Sequence, residues 1–185
     1  GEGRGEGRAL IWGVTGSVGA GKSTVATTLA GFGARVLDVD EVAAQALAES
    51  TLGLTAAKAL AAIVTGGPDR ARIEAALIPV VEKRIAEWVA ASGVPGVLDS
   101  ALLFEHGLDR FCDFTVCVCC PIEERRSRVT QRSTASARLF DAIEASQWPE
   151  VEKARKATMQ VSGQGDPTAA LREAWFALSP TLSLS

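Results

Sequence analysis

Apolar residues recur along this chain with two periods, and the two periods alternate. Short unbroken apolar runs stand at ALIWGVT (9–15), ARVLDVD (34–40), VPGVLD (94–99) and DFTVCVCC (113–120), with Gly, Pro, Ser or Asp at their ends. Met159–Ser162 is a fifth, shorter candidate. Runs of this length read as strands buried on both faces. Between them the spacing turns helical. Val25, Leu29 and Phe32 share a face ahead of a stop at Gly33, and EVAAQALAES continues as a helix after Asp40. An Ala-rich segment over residues 51–67 predicts a further helix that closes at Gly66, Gly67 and Pro68. Ile73, Leu77, Val80, Val81, Ile85 and Trp88 then trace one apolar face, with Pro79 placed to start or kink that helix. EERRSRVTQR is a basic helix with Arg125, Arg128 and Arg132 on one face. A polar stretch, STASAR, interrupts before LFDAIEAS and PEVEKARKA, and a helix at Thr168–Leu178 follows the loop GQGDP. Such alternation predicts an α/β fold, a parallel sheet with helices on both faces. Right-handed crossovers then bring the ends of the first three strands to one rim, where ligands bind.

The first strand leads directly into GSVGAGKST. Gly16 and Gly21 bracket four residues, and Lys22 and Ser23 follow at once, the G-x-x-x-x-G-K-[ST] spacing of a phosphate-binding loop. Strand before and helix after supply the context such a loop needs. Gly16, Gly19 and Gly21 let successive N–H groups turn inward around an anion, with Ala20 between them. Lys22 reaches the β- and γ-phosphates, the Ser23 hydroxyl can ligate Mg²⁺, and Thr24 stands beside it at the helix start. Asp40 and Asp99 end the second and third strands and should stand near this loop. Asp40 can orient an acceptor hydroxyl and take its proton, or cap the helix that follows. Asp99 can hold a Mg²⁺-bound water, or cap the turn after it. Asp38 can anchor Mg²⁺ through water or merely end its strand.

Composition narrows the class. The chain has 185 residues, 47% hydrophobic and 22% charged, which suits one folded α/β domain over residues 9–178. A formal net charge of −3 gives no reason to invoke nucleic acid or an anionic membrane. No apolar run approaches the roughly 20 residues of a membrane span. The basic, apolar, small-residue order of a secretory leader is missing, so the expected location is the cytoplasm. GEGRGEGR (1–8) reads as a flexible arm, and residues 179–185 as a tail. Of the four cysteines, Cys117 and Cys119 point to one strand face and Cys120 to the other, so no zinc knuckle forms. They read as small buried hydrophobes, and the single histidine, His106, is too isolated to propose as a ligand.

A phosphate loop alone covers ATPases, GTPases and small-molecule kinases. The chain has no Asn-Lys-x-Asp guanine-reading element, and it is too short for the partner domains of motor or transport ATPases. Its basic helix leads into a polar segment that could close over ATP and exclude water. Here GVTGSVGAGKSTVA, FGARVLDVDEVA, LDSALLFEHGL, the R-x-x-x-R at Arg128 and Arg132, and SQWPEVEK resemble the dephospho-coenzyme A kinase family in order and spacing. The resemblance implies a phosphate-loop kinase fold: a nucleotide core, a helical acceptor region (about 41–91) and a lid (about 132–148). It implies transfer of the ATP γ-phosphate to the ribose 3′-hydroxyl of dephospho-CoA, the last step of coenzyme A synthesis, with Mg²⁺.

It further implies that Asp40 is the hydroxyl-orienting base and that Asp99 and Glu105 belong to the family's acidic block. Arg132 and Arg138 stand as lid arginines that neutralise the transferring phosphate, and Gly163, Gly165 and Pro167 approach adenine. The chain departs from the pattern at Ala44, where an arginine is usual, at Ile78 (histidine), Ala101 (proline) and Gly163 (asparagine). The region between Asp40 and Pro79 is also shorter than usual. Two other functions therefore stay open: a kinase for a nucleoside or sugar-like alcohol, and a nucleotide-binding protein with little catalysis.

Overall fold

All five apolar runs pair into one parallel sheet: β1 (Ile11–Gly16), β2 (Arg35–Asp38), β3 (Gly96–Asp99), β4 (Phe114–Cys119) and β5 (Met159–Ser162), in the order β2-β3-β1-β4-β5. The computed structural model describes residues 9–91, 93–132 and 134–178; the expected arm at 1–8 and tail at 179–185 lie outside the described residues. The helices are α1 (Lys22–Gly31), α2 (Val39–Glu49), α3 (Ala56–Thr65), α4 (Gly67–Ala90), α5 (Ile122–Arg132), α6 (Thr134–Ser146), α7 (Glu150–Lys156) and α8 (Thr168–Leu178). A 3-10 turn occupies Leu108–Phe111.

β1 lies at the centre, with Ile11 opposite Gly96 on one side and Trp12 opposite Phe114 on the other. Every residue of β1 is buried, which explains its unbroken apolar run. Successive side chains point to opposite faces. Ile11 and Leu98 enter the core beneath α2, α3 and α4. Trp12, Val14, Val97, Val116 and Val118 enter the core beneath α1 and α8. There Trp12 and Trp175, both fully buried, stand with ring centroids 5.5 Å apart. Burying each such ring contributes roughly 3 kcal/mol.

The structure corrects several expectations. β2 ends at Asp38, not Asp40. The Asp38 carboxylate accepts from the Glu41 amide at 3.1 Å and starts α2, so Asp38 is the cap and Asp40 stands in the first turn. Within the Ala-rich segment, the helix begins only at Ala56, where the Thr55 hydroxyl accepts from the Lys58 amide at 3.3 Å. α4 begins at Gly67 with Pro68 in its first turn and runs through Pro79. The carbonyl that Pro79 leaves without a donor belongs to Ala75, and both residues are exposed, so water can satisfy it. Val80 is exposed as well, whereas Ile73, Leu77, Val81 and Ile85 form the buried stripe. Most of STASAR is helical rather than a loop: residues 134–138 lie in α6, which starts at Thr134 and is anchored by the fully buried Phe140, while Ser133 lies outside the described residues. Cys117 and Cys119 do share a face, with sulfurs 3.8 Å apart, and Cys117, Cys119 and Cys120 are thiols. Among the described residues no helix is long and apolar enough to cross a membrane.

Candidate functional site

The loop from β1 to α1 is shaped by backbone demands. Gly21 caps α1 with φ at +102°, and Gly19 has φ at +79°, a region L side chains resist. A Cβ on Gly19 would lie 2.7 Å from the Arg125 carbonyl oxygen, so α5 seats directly on the loop. Gly16, at the loop's base, is pressed against the Val118 carbonyl in the same way, at 2.8 Å. No side chain caps α1, so its first N–H groups remain free for an anion.

Beside this loop is a cavity of about 210 Å³, lined by Gly19, Ala20, Gly21, Lys22, Ser23, Asp38, Asp40, Asp99 and Arg132. A second cavity of about 420 Å³ shares Gly21 and Arg132 with it and adds Thr24, Arg128, Gly163, Gly165 and Pro167. The structure thus gathers most of the residues singled out from the sequence. Arg138 is not among them; it is exposed on α6 and lines neither cavity.

Parallel strands bring the carboxylates together. Asp38 and Asp99 are register partners on β2 and β3, and Asp40 follows one helical step later. Burial raises the pKa of Asp99 to about 6; Lys22 opposes the shift, and Asp40 and Asp38 add to it. Asp40 is raised for the same reason, with Lys22 opposing and Asp38 adding, while the Ala101 amide and His106 lower it. Its carboxyl opens into the cavity, so solvent reaches it, although protein surrounds it on most sides. Among the described residues no group of three His, Cys, Asp or Glu side chains is arranged to cage a metal. The donor set instead suits a cation that keeps its waters and takes oxygens from a hydroxyl, a carboxylate and a ligand's phosphates.

Several contributors were not visible in the sequence. Arg128, noted only as half of an R-x-x-x-R, donates to the carbonyls of Gly19 (3.4 Å), Ala20 (3.3 Å) and Gly163 (2.7 Å), binding the phosphate loop to the loop after β5. Arg125 does not join a solvated basic face: it is buried and forms a two-pronged pair with Glu144 of α6, at 2.5 and 2.7 Å. Lys153, fully buried, pairs with Glu105 at 3.0 Å and donates to the Ala101 carbonyl at 2.6 Å. It thereby fixes the segment after β3 that faces Asp40. His106 is not isolated; its Nε2 lies 3.4 Å from Glu74, which also accepts from Arg70 at 2.9 Å.

A third cavity, about 430 Å³ and mostly apolar, lies among α2, α3, α4 and the end of α6. Ala44 and Ile78, two of the departures from the family pattern, line it, and so do Arg70 and His106. Asp40 lines both this cavity and the phosphate cavity.

Comparison with known proteins follows this geometry closely. The family model described as Dephospho-CoA kinase matches residues 10–65 and 53–167. The dephospho-CoA kinase of Thermus thermophilus is 36% identical over 170 residues, covering 84% of each chain. That of Rhodospirillum rubrum is 34% identical and covers 88% of this chain and 87% of its own. A crystal structure from Thermus thermophilus superposes with a TM-score of 0.75 at 34% identity, covering 95% of this chain and 99% of that one. Shikimate kinase from Acinetobacter baumannii, solved with shikimate, shares the fold at a TM-score of 0.57 and 14% identity, covering 97% of each chain. The sheet is therefore that of the phosphate-loop small-molecule kinases, and the chain belongs to the dephospho-CoA kinase family.

Proposed function

We propose that this chain transfers the γ-phosphate of ATP to the ribose 3′-hydroxyl of dephospho-CoA, completing coenzyme A synthesis, and that Asp40 aims that hydroxyl. The observation that carries this reading is Asp40's place on the boundary of two cavities, one polar and built around Lys22, the other apolar. An acceptor entering through the apolar cavity presents its hydroxyl to Asp40, and a nucleotide on the phosphate loop presents its terminal phosphate to the same point. Asp40 hydrogen-bonds the hydroxyl and takes its proton as the new bond forms. Lys22, the loop amides and Arg132 offset the charge on the phosphate oxygens.

Ser23, with Asp99 behind an intervening water, would hold Mg²⁺, which supplies further neutralisation of the triphosphate. The crowding of Asp38, Asp40 and Asp99 around one lysine supports a cation there. Residues 41–91 serve as the acceptor region and 132–148 as the lid, drawn down by the Arg125–Glu144 pair. Arg138, exposed on the lid, reaches phosphate only if the lid moves further. The thiols of Cys117, Cys119 and Cys120 suit a reducing cytoplasm.

The test is ATP consumption with and without dephospho-CoA, with the product identified as the 3′-phosphorylated compound. Turnover that depends on dephospho-CoA is the expected result. Turnover only with a nucleoside or sugar-like alcohol, or tight ATP binding without turnover, overturns the proposal.

A further inference from the structure

Lys153 of α7 has no exposed surface, yet its side chain carries a charge. Its Nζ lies 3.0 Å from Glu105 Oε2 and donates to the Ala101 carbonyl at 2.6 Å. A buried ion pair is a poor device for stability, because taking two charges out of water costs about as much as their attraction returns. Here the cost is incompletely offset. Glu105 Oε2 takes Lys153 and the Trp148 amide, whereas Glu105 Oε1 is buried without a hydrogen-bond partner. A methionine opposite a glutamine would fill the same space without the desolvation.

What the lysine holds is one peptide beside Asp40. The Ser100 amide donates to the Val14 carbonyl at 3.0 Å. The Ala101 carbonyl accepts from Lys153 and, at 3.4 Å, from the buried Thr15 hydroxyl. The planar peptide between these two anchors carries the Ala101 N–H, so β1 grips it on one side and α7 on the other. That N–H donates to the Asp40 carboxylate. Asp40 and Ala101 also line the apolar cavity together. Lys22, Asp38 and His106 act on the same carboxylate through charge, which selects no single rotation of the carboxyl; a directed N–H does.

We propose that Lys153 is a positioning residue for the transfer: braced by Glu105, it holds the Ala101 peptide so that Asp40 keeps the rotation in which it meets the acceptor hydroxyl. This role rests on the acceptor assignment above, and its test separates the two. The variants are Lys153→Met, the pair Lys153→Met with Glu105→Gln, and that pair combined with Asp40→Asn. Each is measured for melting temperature, kcat with dephospho-CoA and KM for ATP.

Lys153→Met leaves a buried carboxylate alone and should melt earlier. Adding Glu105→Gln removes that charge and keeps an acceptor for the Trp148 amide, so the melting temperature should return close to the wild type. The rate should not return with it. The pair is expected to keep kcat roughly 10- to 100-fold below the wild type, the scale of a misaligned reacting group, with KM for ATP unchanged. In the Asp40→Asn background the same pair should lower kcat by less than about threefold, because the group it positions is already gone. A pair that regains the wild-type rate along with its stability, one that cannot fold, or one whose effect on kcat persists in full without Asp40 overturns the proposal. No turnover of dephospho-CoA by the wild type removes the acceptor assignment itself, and this inference with it.

Discussion

Replacing Asp99 with asparagine should make the protein more stable and less active, and the size of the gain follows from the site. Burial, with smaller additions from Asp40 and Asp38, lifts the Asp99 carboxyl from 3.8 to about 6. Each unit corresponds to about 1.4 kcal/mol between protonation states, so the full shift sets a ceiling of about 3 kcal/mol. Partial access to solvent reduces this to about 1–2 kcal/mol. The native state binds more protons than the unfolded state between pH 4 and 6, so the contribution of Asp99 falls as pH rises through that window. The stability it provides is complete below the unfolded value and lost above about 6. Urea unfolding without nucleotide, followed through the fluorescence of the buried Trp12 and Trp175, measures the effect. Asp99→Asn should match the wild type near pH 4 and exceed it by about 1–2 kcal/mol at pH 7.5, with turnover reduced at the same pH. A stability difference of the same size at every pH, or a variant less stable at pH 7.5, would refute the reasoning.

Asp40→Asn should lower kcat by roughly 100-fold or more with little change in ATP affinity, measured by steady-state kinetics and nucleotide titration. Because Asp38 caps α2, the melting temperature should hold; an unchanged rate with a lower Tm would make Asp40 structural. The raised pKa of Asp40 also places the acid limb of the kcat/KM profile above the ordinary carboxylate range, and a limb at or below 3.8 would contradict it. Gly163→Ala would put a Cβ 2.0 Å from the Ala20 carbonyl oxygen, so it should raise KM for ATP by roughly tenfold by pushing two loops apart, and an unaltered KM would count against it. Arg125→Met should cost about 3 kcal/mol in urea unfolding, since it leaves Glu144 half-buried without its partner; a loss below about 1 kcal/mol would show the pair to be dispensable.

What could be read from the sequence was whatever local backbone geometry dictates. The phosphate loop is legible because its glycines answer to left-handed angles and close approaches, which no other residue supplies at that spacing. The central strand β1 is legible because burial on both faces keeps it almost wholly apolar. Asp38 and Asp40 were harder, since either can cap a helix and only the observed hydrogen bond to Glu41 separates them. STASAR looked like a break because helix-neutral residues open α6, whereas Phe140 beneath Arg125 and Arg126 holds that helix down from farther along. Arg125 and Arg128 occupy neighbouring turns of a basic helix, yet one is buried against Glu144 and the other grips three carbonyls. Contacts across such separations leave no periodic trace. The same holds for Lys153 with Glu105.

The order of strands in the sheet has a consequence for how the chain is born. β1 and β2 come first from the ribosome, but they are not neighbours, because β3 lies between them. The partners of β1 are residues 96–99 and 114–119, so a nascent chain of some ninety residues contains two apolar strands and no native strand pair. Until β3 arrives, the strand that is buried throughout in the folded protein, Ile11–Gly16, has both edges open to non-native pairing. Nucleotide can therefore assist folding only once the chain has grown past β4, since the loop that grips it is suspended from a strand whose supports are made well after it.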